Sequence, residues 1–129
     1  MRLMVACDGV EELWALELDD GGRSLTLRST GAEEWRVTGA SLWESFRALR
    51  RRVEPLGFRL CCNGARTNAR ASRMGVEMGG GGGVYLLSMG RPVRHRRQLV
   101  DALAYAPASE VSTLAEQDEF YERWLRSLG

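Results

Sequence analysis

The first forty residues alternate between apolar and polar side chains, and strong turn signals interrupt the alternation. Asp8-Gly9 and the run Asp19–Gly22 consist of residues that tolerate a positive φ, which tight hairpin turns require. Between these turns, every second side chain is apolar, which is the period of a strand with one buried face. The predicted strands are residues 1–7, 12–18, 23–29 and 34–38. The pattern therefore predicts an antiparallel meander with one apolar face that needs a cover.

Two amphipathic helices can supply that cover. Ser41-x-x-Glu44 is a capping box, and Pro55 and Gly57 mark the end of the helix that follows it. The apolar stripe of this helix is Leu42, Phe46, Leu49 and Val53. A second capping box, Thr113-x-x-Glu116, begins a C-terminal helix that runs to about residue 128. With 129 residues, the chain is predicted to form a single α+β domain, in which an antiparallel sheet of five or six strands has two main helices packed on one face.

The middle of the chain carries a long connection between two further predicted strands, Phe58–Cys62 and Val84–Met89. The connection ends in five consecutive glycines, Gly79–Gly83. A phosphate-binding loop would place its glycines after a strand and before a helix. Here the glycines lead into a strand and the chain has no lysine, so a nucleotide-binding loop is not predicted. Residues 98–105 are apolar, and their pattern fits a strand or a helix equally well.

Charge is distributed unevenly along the chain. Residues 35–97 carry thirteen arginines and three glutamates, a net charge of +10, whereas residues 1–34 carry −5 and residues 98–129 carry −4. This distribution has two interpretations. The segments can neutralise each other within the fold, or the middle can present a basic face to an acidic partner.

The candidate ligand-binding residues lie in the basic, glycine-rich connection: Asn63, Arg66, Asn68, Arg70, Arg73 and Gly81. The three arginines are spaced by four and three, so on a helix they would share one face and could grip a phosphate or a carboxylate. The competing interpretation is a solvated loop, or arginines that pair with the acidic N-terminal strands. We expect a non-enzymatic cytoplasmic binding or adaptor domain that recognises a protein surface or an anionic group through residues 63–83.

The sequence is also compatible with two other functions. The arginine-rich middle could bind nucleic acid, with aromatic side chains that stack on bases. Alternatively, Cys61 or Cys62 could be the nucleophile of a small enzyme, which would require a lowered thiol pKa and a base such as His95. Homodimerisation through an exposed sheet edge is a further alternative.

No metal or other cofactor is predicted. The sequence has one histidine and no C-x-x-C motif, and side chains of the adjacent Cys61 and Cys62 would point to opposite faces of a strand. No apolar run is long enough to cross a bilayer, so a membrane is not an expected partner. Three cysteines, an odd number, and the lack of a secretory signal pattern favour the reducing cytoplasm.

Several segments together resemble a family of small uncharacterised bacterial proteins that is typical of GC-rich genomes. These segments are CCNGAR, SRM, MGGG, VYLL and the C-terminal AEQDEFYERWLRSL. The resemblance covers most of the chain. It implies no activity and no site residues.

Overall fold

The computed structural model describes residues 1–71, 82–93 and 99–129, and their architecture confirms the α+β prediction. The strands are β1 Arg2–Cys7, β2 Val10–Asp19, β3 Ser24–Arg28, β4 Glu34–Thr38, β5 Arg59–Leu60, β6 Ala69–Ala71, β7 Gly83–Leu86 and β8 Leu99–Asp101. The two long helices among the described residues are α1 Leu42–Val53 and α2 Leu114–Ser127. A five-stranded antiparallel sheet has the order β4-β3-β2-β1-β5, and a three-stranded sheet has the order β6-β7-β8.

The predicted hairpin turns form where positive φ is available. Asp8 and Gly9 have φ values of 50° and 79° and join β1 to β2. Asp20, Gly21 and Gly22 also have positive φ and join β2 to β3. The register places Leu3 opposite Trp14 and Val5 opposite Glu12. The alternation seen in the sequence therefore becomes one core face and one outer face of the five-stranded sheet.

Helix α1 covers the core face of this sheet. The Ser41 hydroxyl accepts a 3.2 Å hydrogen bond from the Glu44 amide and so caps the helix, but the Glu44 carboxylate does not accept the reciprocal bond from the Ser41 amide that the predicted capping box would include. The predicted stripe of α1 is buried against apolar side chains of the strands, among them Leu3, Leu16, Leu25, Leu27 and Val37. Gly39 lets the chain turn tightly into α1, because a Cβ atom there would lie 2.8 Å from the Cα of Ser45.

The three-stranded sheet is built from the middle of the chain. Its outer strand β8 shows that part of the ambiguous segment 98–105 is a strand. Val84 on β7 is fully buried together with Ala69 and Ala102. The sequence also allows a short helix from Ser72 through Met78, and this segment lies outside the described residues, as do the first glycines of the tract and the basic residues 94–97.

Helix α2 begins with the predicted capping box, in which Thr113 and Glu116 bond to each other's backbone amides. Its position differs in one respect from the expected packing on the five-stranded sheet. Trp124 is buried and donates a 3.1 Å hydrogen bond to the Arg91 carbonyl, whereas Leu125 is 46% exposed. Hydrogen bonds from Arg47 and Arg50 of α1 to Gln117 of α2 join the two helices. No helix among the described residues is both long and apolar enough to span a bilayer.

Candidate functional site

Four of the six candidate ligand-binding residues lie among the described residues, and local structure fixes each of them. Asn63 begins a 3-10 turn, Arg66 follows it, and Arg70 lies on β6 opposite Tyr85 of β7. Asn68 stands just before β6. The other two candidates, Arg73 and Gly81, lie outside the described residues. The pairing of β6 with β7 means that Arg66 and Arg70 are not presented by one helix.

The two asparagines tie the connection to the rest of the fold. The side-chain amide of Asn63 donates a 3.0 Å hydrogen bond to the Asp101 carbonyl, and the side-chain amide of Asn68 donates a 3.1 Å bond to the Leu87 carbonyl. The Asn63 side-chain oxygen also accepts a 2.9 Å bond from Nε of Arg66. Asn63 therefore both anchors its own turn and orients the neighbouring arginine.

Arg66 and Arg70 each face a carboxylate of the C-terminal segment. Nη1 of Arg66 lies 2.5 Å from the Glu110 carboxylate, and Nη1 of Arg70 lies 3.2 Å from that of Asp118. The arginines of the middle of the chain thus pair with C-terminal acids here, not with the acidic N-terminal strands named in the competing interpretation. Both side chains keep solvent contact, 25% exposed for Arg66 and 31% for Arg70.

Arg70 is held by an aromatic ring as well as by charge. Its guanidinium carbon lies 4.0 Å from the centre of the Tyr121 ring, which is within cation–π range. The same oxygen of Asp118 also accepts a 2.7 Å hydrogen bond from Nη2 of Arg47. One carboxylate therefore faces two guanidinium groups, and this group of three side chains carries one net positive charge.

Beneath Arg66 and Arg70 lies a buried polar network centred on Gln117. The Gln117 side-chain oxygen accepts hydrogen bonds of 2.6 Å from Arg47 and 2.8 Å from Arg50. Its nitrogen donates to the carbonyls of Gly64 and Arg66, at 2.9 and 2.8 Å. Gln117 thus joins α1, α2 and the start of the basic connection in one contact. No buried side-chain nitrogen or oxygen among the described residues lacks a partner.

Arg50 is the largest fully buried side chain in the described chain. It bonds to Glu54 at 2.6 Å and to the Ser112 carbonyl at 2.7 Å. Glu54 in turn accepts a 2.9 Å bond from the Leu114 amide at the first turn of α2. Burial lowers the pKa of Arg47, and the neighbouring Asp118 carboxylate opposes that effect.

This network was not predicted from the sequence, because arginines near the C-terminal end of a helix are already explained by the helix dipole. Yet Arg47, Arg50 and Glu54 recur at steps of three and four and so form a stripe. That spacing was a signal that these side chains share one face of α1. The spacing did not reveal their partner, because Gln117 lies 67 positions after Arg50.

The cysteines give little support to the enzymatic alternative. Cys61 and Cys62 are both fully buried. Burial raises the pKa of the Cys62 thiol to about 12, and it also raises that of Cys61, with a smaller contribution from Glu11. A nucleophilic cysteine needs the opposite shift. Among the residues that the structure describes, no three His, Cys, Asp or Glu side chains gather as metal ligands would.

No protein-family model matches this sequence, and no curated protein matches it.

Proposed function

We propose that this protein is a non-enzymatic binding domain that recognises an anionic group on a partner protein. The binding site is the arginine surface, which we define as Asn63, Arg66, Asn68, Arg70 and Tyr121. The observation that carries the proposal is that Arg47 and Arg70 share the single carboxylate of Asp118. The excess positive charge reaches solvent at Arg70, because Arg47 is buried.

Arg70 is prepared for such a ligand before it binds. The ring of Tyr121 and the carboxylate of Asp118 hold its guanidinium in one place, so little side-chain entropy remains to be lost on binding. A guanidinium has five N–H donors. Nη1 of Arg70 donates to Asp118, and no other N–H group of this guanidinium has a partner among the described residues. Donors are therefore left for a carboxylate or phosphate.

Binding of nucleic acid is the alternative function, and two of the aromatic residues that could stack on bases are buried. Trp35 and Trp43 are 7% and 5% exposed, so they offer no ring on which bases could stack. A cytoplasmic location remains part of the proposal, since Cys7, Cys61 and Cys62 are all free thiols.

The proposal can be tested with isotope-labelled protein and three probes: a glutamate-rich peptide, a lysine-rich peptide and a generic single-stranded RNA. We expect the glutamate-rich peptide alone to shift resonances of Arg70 and Tyr121 in a saturable manner. The variant with both Arg66→Gln and Arg70→Gln should lose this response. The matched control carries Arg28→Gln and Arg36→Gln on the five-stranded sheet, where both arginines are exposed.

Equal weakening in both double variants would overturn the proposed site, because binding would then follow net charge alone. Tighter binding of RNA, with an affinity that falls steeply as salt is raised, would establish the nucleic-acid alternative in its place.

A further inference from the structure

The core face of β2 is buried in the middle of the strand and exposed at its N-terminal end. Trp14 and Leu16 on this face are buried under α1, but the same face continues through Glu12 to Val10, which is 59% exposed. A carboxylate on the core face of a strand departs from the binary pattern that the rest of the meander follows. Such departures are most often found at functional positions.

A small open cavity lies at this end of the sheet. Its volume is about 170 Å³, and its lining residues are Val5, Cys7, Val10, Glu12, Trp14 and Phe58. All of those on β1 and β2 share the core face, because the register sets Val5 opposite Glu12 and Cys7 opposite Val10. The cavity would hold roughly six water molecules at about 30 Å³ each, which is enough for a small branched head group.

Two aromatic rings meet in the wall of this cavity. The ring centres of Trp14 and Phe58 are 4.8 Å apart, and the ring planes stand at 67° to each other. Trp14 is fixed from another side by a parallel stack on Trp35, with 5.6 Å between centres. The aromatic part of the wall is therefore rigid, and its two rings differ in orientation.

The carboxylate of Glu12 is fixed at the same place. Its Oε2 atom accepts a 3.0 Å hydrogen bond from the Trp14 indole and another of 3.0 Å from the Thr30 hydroxyl. These two bonds lower the pKa of Glu12, so it is held in the charged form. Within the described part of the chain, Oε1 of Glu12 has no hydrogen-bond partner.

The surroundings favour a positive ligand. A neighbouring cleft of about 510 Å³ shares Cys7 with this cavity and has Asp8, Glu11 and Arg59 in its wall. Two carboxylates and one guanidinium give that cleft one net negative charge. The N-terminal region as a whole carries −5.

We infer that the cavity at Glu12, Trp14 and Phe58 binds a quaternary ammonium group. Aromatic rings attract a cation through the negative potential of their faces. Trp14 is only 4% exposed and is stacked on Trp35, so the half-buried ring of Phe58 supplies this contact and the carboxylate of Glu12 supplies the counter-charge. The apolar side chains of Val5 and Val10 suit the methyl groups of such a head. A primary ammonium is more strongly hydrated than a methylated one and would lose more on entering an apolar cavity. This site is separate from the arginine surface, and its ligand has the opposite charge.

The test compares choline with 3,3-dimethylbutanol, its uncharged carbon isostere, and with trimethyllysine as a second source of the same head group. The readout is the indole N–H resonance of Trp14, one of four tryptophans, because that proton is bonded to Glu12. We expect choline or trimethyllysine to shift this resonance saturably, while the indole of Trp124 stays unchanged. The uncharged isostere should cause no such shift.

Glu12→Gln should weaken binding about fivefold or more, since it removes the counter-charge with almost no change in shape. Glu17→Gln is the matched control, because it removes the same charge from the other face of β2 and Glu17 lines neither the cavity nor the neighbouring cleft. Phe58→Leu provides a second variant that removes a ring but keeps the charge, and thermal unfolding verifies that each variant is folded. Equal shifts with choline and its isostere would overturn the inference, as would equal losses in the Glu17 and Glu12 variants.

Discussion

Arg50 donates a 2.8 Å hydrogen bond to the side-chain oxygen of Gln117, and both side chains are completely shielded from solvent. This contact joins α1 to α2 across the interior of the protein. It also reaches the basic connection, because Gln117 bonds to the carbonyls of Gly64 and Arg66. The surface that presents Arg66 and Arg70 therefore rests on a buried polar network.

Replacing Gln117 should destabilise the whole domain. Gln117→Leu has a similar volume but removes the acceptor of Nη1 of Arg47 and of Arg50, and it leaves the buried Gly64 carbonyl without its side-chain donor. We expect the free energy of unfolding to fall by about 3 kcal/mol or more. Denaturant unfolding measures this loss, with the exposed Glu119→Gln on the same helix as the control. A loss below about 1 kcal/mol would mean that the network adds little to stability.

The turn into α1 should tolerate no side chain at Gly39. A Cβ atom there would lie 2.8 Å from both the Glu44 carbonyl carbon and the Ser45 Cα, and backbone atoms cannot move aside cheaply. We expect Gly39→Ala to cost about 3 kcal/mol or to prevent folding. Gly31→Ala is the control, since its nearest neighbour would be the Ser29 hydroxyl at 3.7 Å. Similar unfolding midpoints for the two variants would contradict the packing at Gly39.

The capping box of α2 should make stability depend on acid pH. Hydrogen bonds from the Thr113 amide, and then from its hydroxyl, lower the pKa of Glu116 below its ordinary value of 4.5. A lowered folded-state pKa stabilises the native state above pH 4.5 and loses that contribution as pH falls through the folded value. Glu116→Gln keeps a capping side chain but cannot ionise. The stability gap between wild type and this variant should therefore close as pH is lowered. A gap that stays constant from pH 7 to pH 3 would contradict the assignment.

Thiol labelling should show that Cys61 and Cys62 are inaccessible in the native protein. Cys62 is fully buried and its pKa is raised to about 12, so almost none of it is thiolate near neutral pH. We expect iodoacetamide to leave Cys61 and Cys62 unmodified in the native protein and to modify both after unfolding. Mass spectrometry of the digested protein locates the label. Rapid labelling of Cys61 or Cys62 in the native protein would support the alternative that one of them is an enzymatic nucleophile.

Much of the fold could be predicted because its signals are local. The Asp-Gly turns fixed the hairpins, and the residues Ser41 and Thr113 marked both helix starts. The three-stranded sheet was harder, because Ala69–Ala71 and Leu99–Asp101 are three-residue strands with no readable period. Their pairing depends on β7 between them, a contact distant in sequence.

The candidate site was predictable only in part. Spacing and charge singled out Arg66 and Arg70, but the predicted shared helical face is replaced by a turn and a strand. Their partners Glu110 and Asp118 lie more than forty positions away, beyond any local pattern. Glu12 carried a readable signal, since it interrupts the apolar face of its strand. The aromatic neighbour Phe58 could not be foreseen, because it is brought there by the path of the chain after α1.

The central claim, that Arg70 presents an anion-binding surface, is tested most directly by the affinity of one fluorescent glutamate-rich peptide for three proteins. These are the wild type, Arg70→Gln and Arg36→Gln, the last altered at an arginine that is 68% exposed on β4. Because a hydrogen bond to a charged group contributes about 1.5–3 kcal/mol, Arg70→Gln should weaken binding about tenfold or more, whereas Arg36→Gln should leave it unchanged. Equal affinities for the two variants would contradict the claim.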